Sequence, residues 1–287
     1  METRRRSLPV PWYPQDAAGI RTALAEWELL DAGRPPVEPG ACAAVAPHAG
    51  WHYSGALAWL AWRAALEADT VVVIGGHLPA GSAFLVAPED GYRTPLGDMA
   101  ADRELRDELR SRLGAGLDLE ADNTVEVQLP LAKARFPDAS ALWIRAPNDA
   151  GSGRLGELLA ELEAGSARRL FVLGSTDLTH YGPAYGWAPV GGGPAGAAWA
   201  DGADRAMADA LAAMDADEAL GLATARRAAC SVGAAIAAMA YARARGAVAG
   251  ERLALASSRD LSRGDSFVGY ATVIWRPGVS PRDTRRA

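Results

Sequence analysis

Four histidines occur in 287 residues, and each sits in a short motif rich in glycine or small polar residues. His48 and His52 lie in Pro47-His48-Ala49-Gly50-Trp51-His52-Tyr53-Ser54-Gly55. His77 ends the run Val71-Val72-Val73-Ile74-Gly75-Gly76-His77, and His180 ends Ser175-Thr176-Asp177-Leu178-Thr179-His180, just before Tyr181-Gly182. Imidazoles ligate metals and exchange protons near neutral pH, so three of them at separate strand ends would build a metal or acid/base site. Asp177 stands three residues before His180, the spacing at which one helical turn brings two side chains together. A carboxylate beside an imidazole fixes its tautomer and raises its basicity, as general-base catalysis requires. The competing reading is that Ser175, Thr176 or Asp177 caps a short helix.

Two cysteines add to the inventory. Cys230 falls near the predicted start of a helix over Ala228–Arg243, where a thiol has a lowered pKa and becomes a better ligand or nucleophile. A buried inert thiol is the alternative there, and it is the reading for Cys42, which lies in an apolar strand. The polar patch Asp122-Asn123-Thr124-Val125-Glu126-Val127-Gln128 could line a pocket or cap a helix. His52 fits a rim position or the start of a helix.

These residues need a scaffold that gathers strand ends. Thr70–Ile74 is a continuous apolar, largely β-branched run, as in a strand covered on both faces, and Ala43–Ala46, Ala141–Ala146 and Arg169–Leu173 read the same way. Between them the apolar spacing predicts helices at Gly55–Leu66, Asp102–Leu113, Leu155–Leu162 and Ala197–Met214. Val125–Ala134 is helical only if Pro130 marks a kink or restart. Further strands are expected at Ala83–Val86, Arg252–Ala256 and Ser266–Ile274. The alternation gives a single α/β domain over residues 21–275 with a central mixed β-sheet flanked by helices. Residues 1–20 read as an irregular lead-in, 276–287 as a flexible tail, and Gly191–Gly196 as a lid or rim loop. In an open α/β sheet the carboxyl ends of the strands border the ligand crevice.

A net charge of −6 argues against a nucleic-acid partner, which usually meets a basic face. Charged residues make up 22% and apolar ones 49% of the chain, the profile of a folded domain with a sizeable core. Two cysteines cannot form a disulfide framework and suit a reducing cytoplasm. The arginines near Met1 are followed by Pro9, Pro11 and Pro14 where a signal peptide needs an apolar stretch. No segment reads as a membrane span.

Taken in order, these motifs resemble the Memo family, which includes AmmeMemoRadiSam system protein B. The likeness rests on Pro47-His48-Ala49-Gly50 with Tyr53-Ser54-Gly55, the Gly-Gly-His turn at His77, and Tyr92-Arg93-Thr94-Pro95-Leu96-Gly97-Asp98. It continues through Asp122–Pro130, Ser175–Gly182, Cys230 and Asp265–Tyr270, from about Ala43 to Trp275. The resemblance implies a fold akin to the class III extradiol ring-cleavage dioxygenases (LigB-like). It implies a metal position formed by His48, His77 and Cys230, with Asp177 and His180 beside it and His180 as acid/base. Two imidazoles and a thiolate leave open coordination positions and favour Fe(II), with copper or zinc as alternatives. Asn123, Glu126, His52 and Tyr181 would then face the substrate.

Where the family motif has a histidine, this chain has Asn123, an amide that hydrogen-bonds but cannot exchange a proton near neutral pH. The function so implied is a non-haem, metal-dependent oxidoreductase using dioxygen on a small or peptide-borne aromatic substrate. A radical-SAM or biosynthetic protein would be the expected partner. The alternatives are a copper- or iron-binding protein without turnover and a zinc-dependent hydrolase.

Overall fold

The computed structural model describes residues 2–33 and 35–278. The chain opens with strand β1 (Thr3–Arg4), helix α1 (Ala17–Asp31), β2 (Ala43–Ala46), α2 (Trp51–Ala64) and β3 (Thr70–Leu78). Short strands β4 (Leu85–Val86), β5 (Gly91–Thr94) and β6 (Gly97–Ala100) follow, then α3 (Arg103–Leu113), β7 (Gly116–Leu117), α4 (Asn123–Glu126) and α5 (Leu129–Arg135). Next come β8 (Ser140–Pro147), α6 (Gly153–Ala164), β9 (Leu170–Ser175) and β10 (His180–Tyr181). The described chain closes with α7 (Gly193–Ala212), α8 (Ala216–Arg226), α9 (Val232–Ala244), β11 (Gly250–Ser257) and β12 (Phe267–Trp275).

The central sheet is mixed, with β2, β9, β3 and β8 side by side and parallel. On one flank β12 joins β2 antiparallel and carries β10 and β11; on the other, β4 runs antiparallel to β8. Both faces are covered, so the inner strands are apolar on both sides rather than alternating with polar residues. Val72 and Ile74 pack into the core formed with α6, α7, α8 and α9, while Val71 and Val73 enter the core shared with α1, α2 and α5.

Several boundaries move for local reasons. α2 begins four residues before Gly55, which places His52 in its first turn and leaves it exposed. The Val125–Ala134 segment divides into α4 and α5, with Pro130 in the opening turn of α5, where its missing N–H is harmless. Gly191–Gly196 is not a loop throughout: α7 starts at Gly193, with Pro194 preset for a first turn. The helix expected from Ala228 starts only at Val232.

The lead-in is more ordered than its sequence suggests. Thr3–Arg4 pairs in parallel with β5, and Asp16 caps α1 through the Gly19 N–H at 2.8 Å. Both α1 and α8 have shallow apolar stripes, with only Ile20 buried in the first and only Ala219 and Leu222 in the second. At the other end, Gly278 N–H donates to the Arg245 carbonyl at 3.0 Å; residues 279–287 of the expected tail lie outside the described residues. Among the described residues no helix is long and apolar enough to cross a membrane.

Candidate metal centre

Three of the parallel strands deliver their carboxyl ends to one place. β2 runs out into Pro47-His48, β3 ends beside His77, and β9 leads through Ser175 to Asp177. β9 lies between β2 and β3, so His48 and His77 arrive from either side of it. The fourth contribution comes from the opposite layer, where Cys230 sits two residues before α9.

Gly75 and Gly76 explain why His77 can reach the group. A Cβ on Gly75 would collide with the Thr124 hydroxyl, and one on Gly76 with the Ser231 side chain. Only bare backbone passes between α4 and the start of α9. His77 itself adopts a left-handed backbone conformation with φ +60°, sparsely populated by non-glycine residues and typical of functional turns.

One ligand atom from each of His48, His77 and Cys230 falls within 4.8 Å of the other two. His48 Nε2 is 3.2 Å from Cys230 Sγ, and the His48 and His77 rings stand edge to face, 5.1 Å between centroids. Donors this close can share one ion with small side-chain adjustments, since Zn–N and Zn–S distances are about 2.0–2.3 Å. Two neutral nitrogens and a soft sulfur fit a borderline transition metal better than calcium or magnesium, which prefer oxygen.

Each donor is braced by neighbours. His48 Nδ1 meets the Ser175 hydroxyl at 3.2 Å, and its backbone N–H donates to Asp177 Oδ1 at 2.7 Å. Asp122 Oδ2 lies 3.7 Å from His77 Nδ1 and takes a 3.2 Å hydrogen bond from Arg145. The Cys230 turn is clamped by Asn148, whose amide donates to the Cys230 carbonyl at 2.9 Å and accepts from Gly233 N–H at 3.1 Å. Such outer partners fix ring orientation and ligand basicity.

The electrostatics follow from this packing. Burial opposes ionisation of Cys230, yet His48 and His77 hold its thiol well below the ordinary range, the direction that favours a thiolate over a thiol. Burial depresses His77, but Asp122 and the Cys230 thiolate outweigh it and push the imidazole up to about 10. His48 is likewise raised against its burial by Cys230 and Asp177.

His180 stays outside the ligand set. Its Nε2 lies 3.7 Å from Asp177 Oδ2, and Asp177 and Cys230 raise its pKa against the effect of burial. The pairing needs no helix: residues 176–179 form an irregular link into β10. Nor does the segment cap a helix of its own. Thr176 Oγ1 instead accepts the Ser231 N–H at 3.0 Å, at the start of α9.

The Memo-like protein family matches residues 4–274. The chain belongs to the Memo family. A MEMO1 family protein of Methanopyrus kandleri is 31% identical over 290 residues, spanning 93% of this chain and 96% of the relative. Another, from Thermococcus onnurineus, is 30% identical over 296 residues, spanning 92% and 96%. The His/His/Cys cluster therefore stands in a Memo chain matched over nearly its whole length.

The expected substrate-facing residues fare differently. Asn123 turns its amide to the His48 carbonyl at 3.2 Å and so adjoins the site. Glu126 does not face a pocket. It is 3% exposed, and its carboxylate takes the N–H groups of Ser7 and Leu8 and the Tyr13 hydroxyl, pinning the amino-terminal segment. Tyr181 is core: fully buried, stacked on Phe267 at 5.2 Å, its hydroxyl bonded to the Gly191 carbonyl. His52 points away beside Tyr53 and lines a separate cleft with Trp27 and Trp51.

Part of the cavity wall lies outside the motifs singled out from the sequence. A cavity of about 310 Å³ opens beside Cys230 and His180, walled by Tyr185, Trp187 and Arg227. Of the braces, Asp122 falls in the polar patch and Ser175 in the Ser175–His180 motif, whereas Asn148 carries no local signal.

Proposed function

We propose that this Memo protein is a metal-dependent oxidoreductase in which His48, His77 and Cys230 hold one ion, Fe(II) first and copper second, and His180 is the acid/base. The observation that carries the reading is the division of labour. Three donor side chains from separate segments, two histidines and a cysteine, converge within 4.8 Å, while a third histidine, His180, lies beside the Asp177 carboxylate. When bound, the ion would supply Lewis acidity and redox chemistry toward dioxygen.

The protein's own contribution is positional and protonic. Burial lowers the His180 pKa, but Asp177 and Cys230 raise it above the ordinary value, the direction that suits a proton donor that then serves as a base. With Nε2 turned to Asp177, Nδ1 is the ring nitrogen left to exchange a proton with a substrate. Tyr185, whose ring lies 4.9 Å from that of His180, gives the cavity an aromatic wall suited to a small or peptide-borne aromatic substrate. A reducing, cytoplasmic setting suits a working thiolate, and a radical-SAM or biosynthetic protein fits as a partner that supplies the substrate.

Anaerobic reconstitution with ferrous iron followed by metal analysis and an oxygen electrode tests this. About one ion per chain, and oxygen uptake with a phenol, indole or peptide, is expected. Tight metal binding without oxygen uptake would favour a second reading, metal handling without turnover. The observation behind that alternative is Asn123, whose amide braces the His48 carbonyl and cannot relay a proton. Zinc with hydrolysis and no oxygen uptake would favour a hydrolase.

A further inference from the structure

We propose that Arg227 selects the substrate of this site, and that the substrate is a single-ring aromatic carboxylate whose carboxylate group pairs with the Arg227 guanidinium. The proposal rests on the oxidoreductase reading for its reaction and on independent observations for its ligand. The cavity beside Cys230 and His180 holds about 310 Å³, at the small end of ligand pockets, which is room for one ring and a short arm.

Among the described residues Arg227 is the one permanently charged cation on that wall. Its guanidinium lies over the Trp187 ring, 4.4 Å from the centroid, and no carboxylate is within ion-pair range among the described residues. Stacking occupies the face of the guanidinium and leaves its in-plane N–H fork open, the geometry that binds a carboxylate through two parallel hydrogen bonds. The Trp187 indole N–H is buried and has no acceptor among the described residues.

The backbone bears on the same point. Arg227 ends α8 in a left-handed conformation, φ +50° and ψ +38°, where glycine is the usual residue. A side chain there is disfavoured by about 1 kcal/mol. The turn sets Arg227 three residues before Cys230, so the anion-binding group and the proposed ligand share one short segment. The aromatic half of the substrate would lie against Tyr185 and Leu178, near His180.

The charge count favours a carboxylate over a phosphate. One guanidinium fork matches one carboxylate and balances one negative charge, which leaves the second charge of a phosphate monoester without a second permanently charged partner on that wall among the described residues.

Three probes decide the matter: phenylacetate, phenylacetamide and phenyl phosphate, titrated calorimetrically into the full-length wild type, Arg227→Gln and Arg227→Lys, each with and without reconstituted metal. In the wild type phenylacetate should bind about 10- to 100-fold tighter than the isosteric amide, the range for a hydrogen bond to a charged group. Arg227→Gln should abolish that preference while leaving phenylacetamide binding and metal content at wild-type values. Arg227→Lys should recover only part of it, because a point charge lacks the fork. Retention of the acid preference in Arg227→Gln, no preference in the wild type, or tighter binding of phenyl phosphate than of phenylacetate would each overturn the assignment. Wild-type protein that takes up no metal yet prefers the acid through Arg227 would overturn the oxidoreductase reading and leave this one standing.

Discussion

Asp177 and His180 face each other across 3.7 Å, while the other carboxylate oxygen of Asp177 accepts the His48 backbone N–H at 2.7 Å. One buried side chain thus holds a proposed metal ligand by its main chain and the proposed acid/base by its ring. The two functions separate by substitution. His180→Ala should keep the metal content of the wild type and lower oxygen consumption by about 10²–10⁴-fold, the usual contribution of a general acid/base. Asp177→Asn retains an oxygen for the His48 N–H but no charge for His180, so it should lower the rate less and also keep the metal. Loss of metal in His180→Ala would make His180 a ligand and end the division of roles.

The two cysteines should respond oppositely to serine. Cys42 is fully buried, 3.5 Å from the Trp275 carbonyl, and burial pushes its thiol up to about 12. Cys42→Ser should therefore cost about 1 kcal/mol of stability and leave metal binding alone. Cys230→Ser removes the thiolate and should strip most of the metal with little change in melting temperature. Metal analysis beside thermal denaturation separates the cases, and equal metal loss from both variants would refute the thiolate ligand.

Arg145 is 4% exposed and bonds Asp118 through two nitrogens, at 2.7 and 2.9 Å, as well as Asp122 at 3.2 Å. Replacing it with methionine leaves two buried carboxylates without their cation, a change that typically costs about 3–5 kcal/mol. Asp122 would also lose the contact that aims it at His77. Arg145→Met should thus be strongly destabilised in urea. Asp122→Asn should be nearly as stable as the wild type yet bind metal about 10- to 100-fold more weakly in a chelator competition. Unchanged affinity in Asp122→Asn would mean that His77 needs no brace.

The strand ends were legible because their signals are local. The β-branched run from Thr70 predicts a buried strand, and the glycines before His77 announce a tight passage whatever lies around them. His48, His77, Cys230, Asp177 and His180 each carry a local signal, and the resemblance to the Memo family groups them into one site. The cavity wall was not legible, because it depends on partners far along the chain. Glu126 looks pocket-facing in its polar patch, but its partners are Ser7, Leu8 and Tyr13, more than a hundred residues earlier. Tyr181 and Tyr185 are both tyrosines near His180, and only packing against Phe267 makes the first of them core. Arg227 was hidden because a helix expected from Ala228 gives no reason to look at the residue that ends the preceding one.

Glu126 consequently predicts a stability effect where the sequence suggested a binding effect. Glu126→Ala removes the acceptor for two N–H groups and two hydroxyls, those of Ser7 and Tyr13, and hydrogen bonds to a charged group contribute about 1.5–3 kcal/mol each at most. The variant should melt lower and be cleaved by protease within residues 7–13 sooner than the wild type, with probe binding at the metal-side cavity unchanged. Weakened phenylacetate binding without added protease sensitivity would restore Glu126 to the substrate.

Asp204 gives the pH dependence of the fold. It lies on α7, 4% exposed, with Oδ1 accepting the Thr179 N–H at 2.9 Å, and burial raises its carboxyl from 3.8 to about 7. Between those values the folded chain holds a proton that the unfolded chain has released. The resulting stabilisation is complete below the unfolded value and is lost as pH rises through about 7. The full difference corresponds to about 4 kcal/mol. Asp204→Asn keeps an acceptor for Thr179 N–H and cannot titrate. Urea denaturation at about pH 5 and about pH 8 should then show wild-type stability falling more steeply with pH than that of the variant, whose relative stability improves toward high pH. Parallel stability curves for the two proteins would place the titration of Asp204 at its ordinary value.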